Sequence, residues 1–169
     1  MTLSKAILAG ALACLSPGVA LAEPAKDIQV AGRILTFLDN APTGRIVIGV
    51  VFDPAKPESV AEKNAIMAAL GGGYSVGSLT ITGRPVEADA IGGLKAAFVT
   101  HGVNYAAVGS AARANRVITM GSDLACVRSG ACAVGMSTEP AVQIIVNHAA
   151  AVAVGASFRA AFRMLIQEI

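Results

Sequence analysis

Three observations place this chain in the α/β class, as a three-layer sandwich whose mainly parallel sheet carries an antiparallel C-terminal hairpin at its edge. Ile46-Val47-Ile48-Gly49-Val50-Val51-Phe52 is a continuous apolar run rich in β-branched residues. Such a run reads as a strand covered by helices on both faces. Strand-like and helix-like segments then alternate along the chain, the pattern of crossover-connected parallel strands. Near the end, Ala133 to Ser137 and Val142 to Val146 flank Thr138-Glu139-Pro140, two short strands around a hairpin turn.

The first 22 residues read as a cleavable secretory signal. Lys5 is its lone positive charge, Ala6 to Leu15 is an apolar run, Pro17 and Gly18 break it, and Ala20-Leu21-Ala22 is a small-residue cleavage site. The run is shorter than the ~20 residues a bilayer span needs. Cys14 follows Ala11-Leu12-Ala13, but the residue three before it is not the large aliphatic of a lipoprotein box. Cleavage after Ala22 leaves residues 23–169, which show no repeat or linker and are expected to fold as one periplasmic domain.

Composition narrows the partners. The 13 basic and 11 acidic residues nearly balance, so nucleic acid and anionic membrane surfaces are not expected. There is no tryptophan on which a base or sugar would stack. Loss of Cys14 leaves Cys126 and Cys132, expected to form a disulfide in an oxidising compartment. The short ring puts its entropic contribution at the low end of the usual ~2–4 kcal/mol. It would pin a polar loop more than hold the fold. Two cysteines without neighbouring ligands do not make a zinc site, and the spacing is not C-x-x-C.

The elements follow in order. Glu23 to Lys26 is a polar lead-in. Ile28, Ala31, Ile34, Leu35 and Leu38 recur at helical spacing and give an amphipathic first helix. Asp39 to Gly44 is a turn cluster before the buried strand, which Asp53-Pro54 ends. Ser59 and Glu62 form a capping box for a helix reaching Leu70, and Gly71-Gly72-Gly73 stops it. Ser78 to Thr82 reads as a strand, and Gly83-Arg84-Pro85 with the following acidic residues as loop. Ala96 to Thr100 is a strand, Val103 to Arg116 a small-residue helix, and Val117 to Met120 a strand. After the hairpin, Asn147 reads as an N-cap and Gly155 as a left-handed helix stop. An amphipathic tail from Phe158 to Leu165 follows.

Residues capable of chemistry are few. The glycine triplet follows a helix and precedes a strand, the reverse of a dinucleotide fingerprint. His101 follows a strand and is placed at the carboxyl end of the sheet, where open α/β folds bind ligands. Ser110 and Asp123 are its nearest candidate partners along the chain, but Gly109-Ser110-Ala111 is no nucleophile elbow. His148 reads as a solvated first-turn residue. Glu58, Glu62, Glu87 and Asp89 lie in helix-start or loop positions without an apolar pocket that would raise a pKa for acid–base work. Arg159 and Arg163, four apart, share one helix face and are offered as a partner-binding stripe. No hydrolase, transferase, metal or cofactor signature emerges, and the expectation is a protein that is not an enzyme, with no catalytic residue, metal or cofactor.

The cysteine pair Cys126 and Cys132, the strand ending Val146-Asn147, and Ala150-Ala151 followed by Gly155 and the tail to Met164-Leu165 together resemble the YfiR family of periplasmic regulators. The upstream element order is similar from Ile28 onward. The resemblance implies a periplasmic, homodimeric α/β protein that binds the periplasmic domain of an inner-membrane diguanylate cyclase and restrains it. Cys126 and Cys132 would correspond to the family's C-terminal disulfide. The family's second disulfide has no counterpart here, and Asn40-Ala41-Pro42 stands where relatives close the first helix with Trp-Pro. These departures bear on redox switching and on partner identity. The rival expectation is a periplasmic small-solute-binding domain with Asp53, His101 and Ser122 lining a site at the carboxyl edge of the sheet.

Overall fold

The computed structural model describes residues 24–169; the signal read over residues 1–22, Cys14 included, lies outside them. α1 (Pro24–Thr36) turns Ile28, Ala31, Ile34 and Leu35 inward, the stripe its spacing predicts. It starts within the expected lead-in, because proline is tolerated in a first helical turn. β1 (Gly44–Val51) leads to α2 (Pro57–Leu70), β2 (Tyr74–Val76) and β3 (Leu79–Val86). After a 3-10 turn at Ala88–Ala90 come β4 (Ala96–Val99), α3 (Tyr105–Asn115), β5 (Ile118–Gly121) and α4 (Leu124–Arg128). The chain ends with β6 (Val134–Ser137), β7 (Gln143–Val146), α5 (His148–Ala153), α6 (Ala160–Arg163) and β8 (Gln167–Glu168).

All eight strands form one sheet in the order β2-β3-β1-β4-β5-β6-β7-β8. β3, β1, β4, β5 and β6 run parallel to one another, β7 antiparallel to β6 as the hairpin requires, and β2 antiparallel to β3. The three-layer α/β class read from the sequence is therefore the observed one. From β1 the chain steps outward to β3 and then returns to the other side, through β4, β5 and β6. Right-handed crossovers in opposite directions put α2 on one face and α3 and α4 on the other. α1 packs beside α2. The crevice at the carboxyl ends of β1 and β4 is thus the topological switch point of the sheet.

Four readings are corrected. Gly83-Arg84-Pro85 continues β3 instead of forming a loop. β2 pairs only Leu79 to Ile81, so Pro85 lies where β3 is an outer edge and a missing N–H breaks no ladder. The cysteine segment is not an exposed polar loop: Cys126 lies in α4, and both bonded sulfurs belong to fully buried residues. β2 and β8 are too short to leave a periodic signal and go unread in the sequence. Finally, the helix that Arg159 and Arg163 were to share is only one turn long, with Arg159 as its N-cap and both residues exposed.

The C-terminal segment is sewn on by aromatic packing and backbone pairing. Phe37 stacks on Phe162 at 5.0 Å between ring centres, and Phe158 lies 5.1 Å from Phe162. Leu38 pairs with Phe158 in an antiparallel bridge, with Asp39 N–H donating to Ser157 O at 3.0 Å. Asn147 caps α5 as read, accepting from Ala150 N–H at 2.9 Å, and its amide also donates to Val127 O at 3.0 Å.

Candidate functional site

The polar side chains gather at the switch point. Thr100 closes β4: its N–H and its hydroxyl both donate to Val51 O, at 3.1 and 2.9 Å. A hydroxyl has one proton, so Ser59, 2.6 Å from the Thr100 oxygen, must donate to it. Ser59 in turn accepts from Asp53 N–H at 2.9 Å. This buried relay ties the ends of β1 and β4 to the first turns of α2.

Glu62, one turn further along α2, reaches across to the loops after β4 and β5. Its Oε2 accepts from His101 N–H at 2.7 Å and lies 2.7 Å from His101 Nδ1; its Oε1 accepts from Ser122 Oγ at 3.1 Å. One carboxylate thus fastens three elements. The capping-box reading of Ser59 and Glu62 is corrected by this geometry. Pro57 occupies the first turn of the helix and Lys56 is the N-cap, without a side-chain cap bond. The two side chains are freed for the site. Proline at that position was the sequence signal for the earlier start.

Around this clasp the charges are acidic. Asp123 caps α4 through Ala125 N–H at 2.8 Å and accepts a hydrogen bond from the Tyr105 hydroxyl. Asp27, in the first turn of α1, is buried and accepts from Thr138 Oγ1 at 2.8 Å. Exclusion from water raises its pKa above the ordinary carboxylate value, with the Glu62 charge adding to the effect. The hydrogen bond to Glu62 raises the His101 pKa against the opposing effect of partial burial, with Glu62, Asp123 and Asp27 charges adding. Burial, then Asp123, raises that of Tyr105.

Of the residues expected to line a ligand site, His101 and Ser122 meet through Glu62. Asp53 turns its carboxylate to Ala55 N–H at 2.9 Å and joins the group only through its backbone. Ser110 is exposed on α3 and has no part in the cluster. Glu62, Thr100, Tyr105 and Asp27 were missed as site residues, since nothing in their local sequence brings them together. With Nδ1 engaged, His101 keeps Nε2 as its remaining polar atom; no hydroxyl or thiol among the described residues is bonded to it. The arrangement can hold a proton at Nδ1 and present Nε2 to a ligand. Among the described residues no three His, Cys, Asp or Glu side chains are arranged to hold a metal ion. No helix there is long and apolar enough to cross a membrane.

A cavity lies at the other end of the sheet. A hollow of about 270 Å³ opens between the start of β4, the start of β5, the end of α1 and the Val154 to Ser157 turn.

No family model and no curated protein matches the chain. Solved structures are similar in fold. A conserved domain protein of Vibrio cholerae superposes with a TM-score of 0.62 at 12% identity, over 88% of this chain and 60% of that one. The ABC domain of Streptococcus pneumoniae in complex with L-Trp gives a TM-score of 0.59 at 13% identity, over 87% of this chain and 62% of that one. The chain spans about three fifths of each, and what the likeness shows is a shared α/β fold.

Proposed function

We propose that this chain is a secreted, non-catalytic regulatory domain of the YfiR-like kind, which binds the periplasmic domain of an inner-membrane signalling protein of diguanylate-cyclase type. The observation that carries the reading is the C-terminal surface. Met164 and Leu165, just before β8, are 87% and 70% exposed, and Val142, just before β7, is 61% exposed. β7 and β8 are parallel neighbours, so these side chains lead into the same end of adjacent strands. Single exposed apolar residues are ordinary; a group of them beside an open strand edge is the chemistry of a protein contact. The disulfide fits an oxidising compartment. Regulation would be stoichiometric, the bound domain shifting its partner between states by differential affinity.

The test is a photo-crosslinking residue at position 165 in intact cells. Recovery of an inner-membrane signalling enzyme, lost in Met164→Lys, supports the reading. Crosslinks to a second copy of this chain alone would make the surface a homodimer contact and overturn the partner assignment there.

A second reading, a small-solute-binding domain, is favoured by the fold shared with a domain crystallised with L-Trp. His101 and Ser122, with the backbone of Asp53 beside them, would then face the solute at the carboxyl edge. A saturable rise in melting temperature with L-Trp, abolished by Ser122→Ala, supports it; an unchanged melting temperature at millimolar L-Trp removes it.

A further inference from the structure

The hollow at the amino edge of the sheet belongs to neither reading. Its lining is mixed: Leu35 from α1 and Leu38 just after it, Ile46, Ala96 and Ile118 from the starts of three parallel strands and Val154 from the turn after α5 are apolar, while Asn40 and Ser157 are polar. The space exists because small residues stand where strands begin and chains turn, Ala96 on one side and Gly155-Ala156 on the other. The walls are fixed by main-chain bonds. Asp39 N–H donates to Ser157 O at 3.0 Å, Arg159 N–H donates to Phe37 O at 3.0 Å, and Leu38 pairs with Phe158. The site therefore needs little ordering to receive a ligand, which removes one of the main costs of binding.

Two cations stand at the mouth. Lys95 immediately precedes β4, and Arg116 stands two residues before β5. Ala96 pairs with Ile118, so the register brings both residues to one end of one strand pair. Neither side chain makes a hydrogen bond or ion pair among the described residues. Arg116 is also the one non-glycine residue there with a positive φ, at 52°, a conformation that L residues avoid. It ends α3 in that conformation, with its N–H donating to Ala112 O. Two cations without counter-ions beside a partly apolar hollow are complementary to a molecule with an anionic head and a small apolar body. A carboxylate accepts a bidentate guanidinium and an ammonium together. The volume, about 270 Å³, is at the small end of ligand pockets, so the body is a single ring or a short branched chain.

We propose that this amino-edge cavity is a binding site for a small amphipathic anion, an aryl or branched-alkyl carboxylate, held by Lys95 and Arg116. The site lies across the sheet from the His101 cluster and does not depend on what the C-terminal surface binds.

Isothermal titration of the purified chain with 3-phenylpropionate at low salt tests it. The expected result is saturable binding with a Kd of about 1 mM or tighter. Lys95→Gln and Arg116→Asn should each weaken it about tenfold. Asparagine is chosen because it tolerates the left-handed conformation, and Lys95 is an exposed residue whose loss leaves the fold intact. The neutral 3-phenylpropan-1-ol should bind about tenfold more weakly than the acid. Absence of saturable heat, an affinity unchanged in Lys95→Gln, or equal binding of the alcohol would each overturn the assignment.

Discussion

Glu62 and His101 stand 39 positions apart in sequence, yet one carboxylate oxygen of Glu62 takes both the backbone N–H and the ring Nδ1 of His101, each at 2.7 Å. The pair locks α2 onto the loop after β4. The Glu62 hydrogen bond raises the pKa of its ring half.

The pH response of that lock has a definite sign. His101 has its pKa raised in the folded protein by the Glu62 hydrogen bond. Its contribution is therefore fully present below the ordinary histidine value of ~6.5 and is lost as pH rises through the raised folded value. The side chain is half exposed, so solvent screening holds the effect to about 1 kcal/mol or less. Urea midpoints of wild type and His101→Gln, compared at pH 5.5 and 8.5, should differ more at the lower pH. Glu62→Gln should remove that dependence, and a gap that instead widens at pH 8.5 would show that the pair is not coupled in this sense.

Asp27 should behave in the opposite way from a paired carboxylate. Burial raises its pKa, so the folded state holds its proton more tightly than the unfolded chain. Stability conferred by this residue then falls as pH rises from the ordinary carboxylate value through the raised one. Asp27→Asn keeps an oxygen for the Thr138 hydroxyl and removes the buried charge. Relative to wild type, the variant should gain melting temperature between pH 4 and pH 7; a relative loss over that range would contradict the account.

The disulfide closes a ring with a sequence separation of 6, for which chain entropy gives about 2 kcal/mol. Cys126→Ala with Cys132→Ala should lower the urea stability by about that amount while leaving the circular dichroism spectrum native. Cys132→Ser alone should lose more than the double variant, because it puts a hydroxyl into a fully buried position.

Gly121→Ala is expected to destabilise by about 1–3 kcal/mol. A Cβ there would lie 2.7 Å from the backbone oxygen of Val99, on the neighbouring parallel strand, where main chain cannot step aside. The readout is the chemical-denaturation midpoint. A second consequence follows at Ser122, the next residue, whose bond to Glu62 should weaken and reduce the pH dependence set by His101.

Local sequence was a good guide wherever one element carried its own signal. The β-branched run at Ile46, the alanine-rich helix after Asn104, the Asn147 cap that accepts from Ala150 N–H, and the positive-φ Gly155 all lie where their chemistry places them. It misled where a residue's partner came from elsewhere. Ser59 and Glu62 have the spacing of a cap but serve Thr100, His101 and Ser122. Pro85 looked like a breaker because nothing local reveals that its side of β3 is unpaired.

What the sequence determined by itself is the class of fold and the succession of its main elements, with a Cys126–Cys132 disulfide as its default expectation. Hydrophobic periodicity, turn residues and cysteine number are properties of neighbouring residues and survive without a partner. Only the tertiary structure decided that Glu62 fastens His101, that the cysteine segment is core, and that Lys95 and Arg116 meet at the mouth of one hollow. Those relationships depend on strand order and on the Ala96 to Ile118 register. Strand order and register are set by how the whole sheet buries its faces, which no stretch of chain encodes alone.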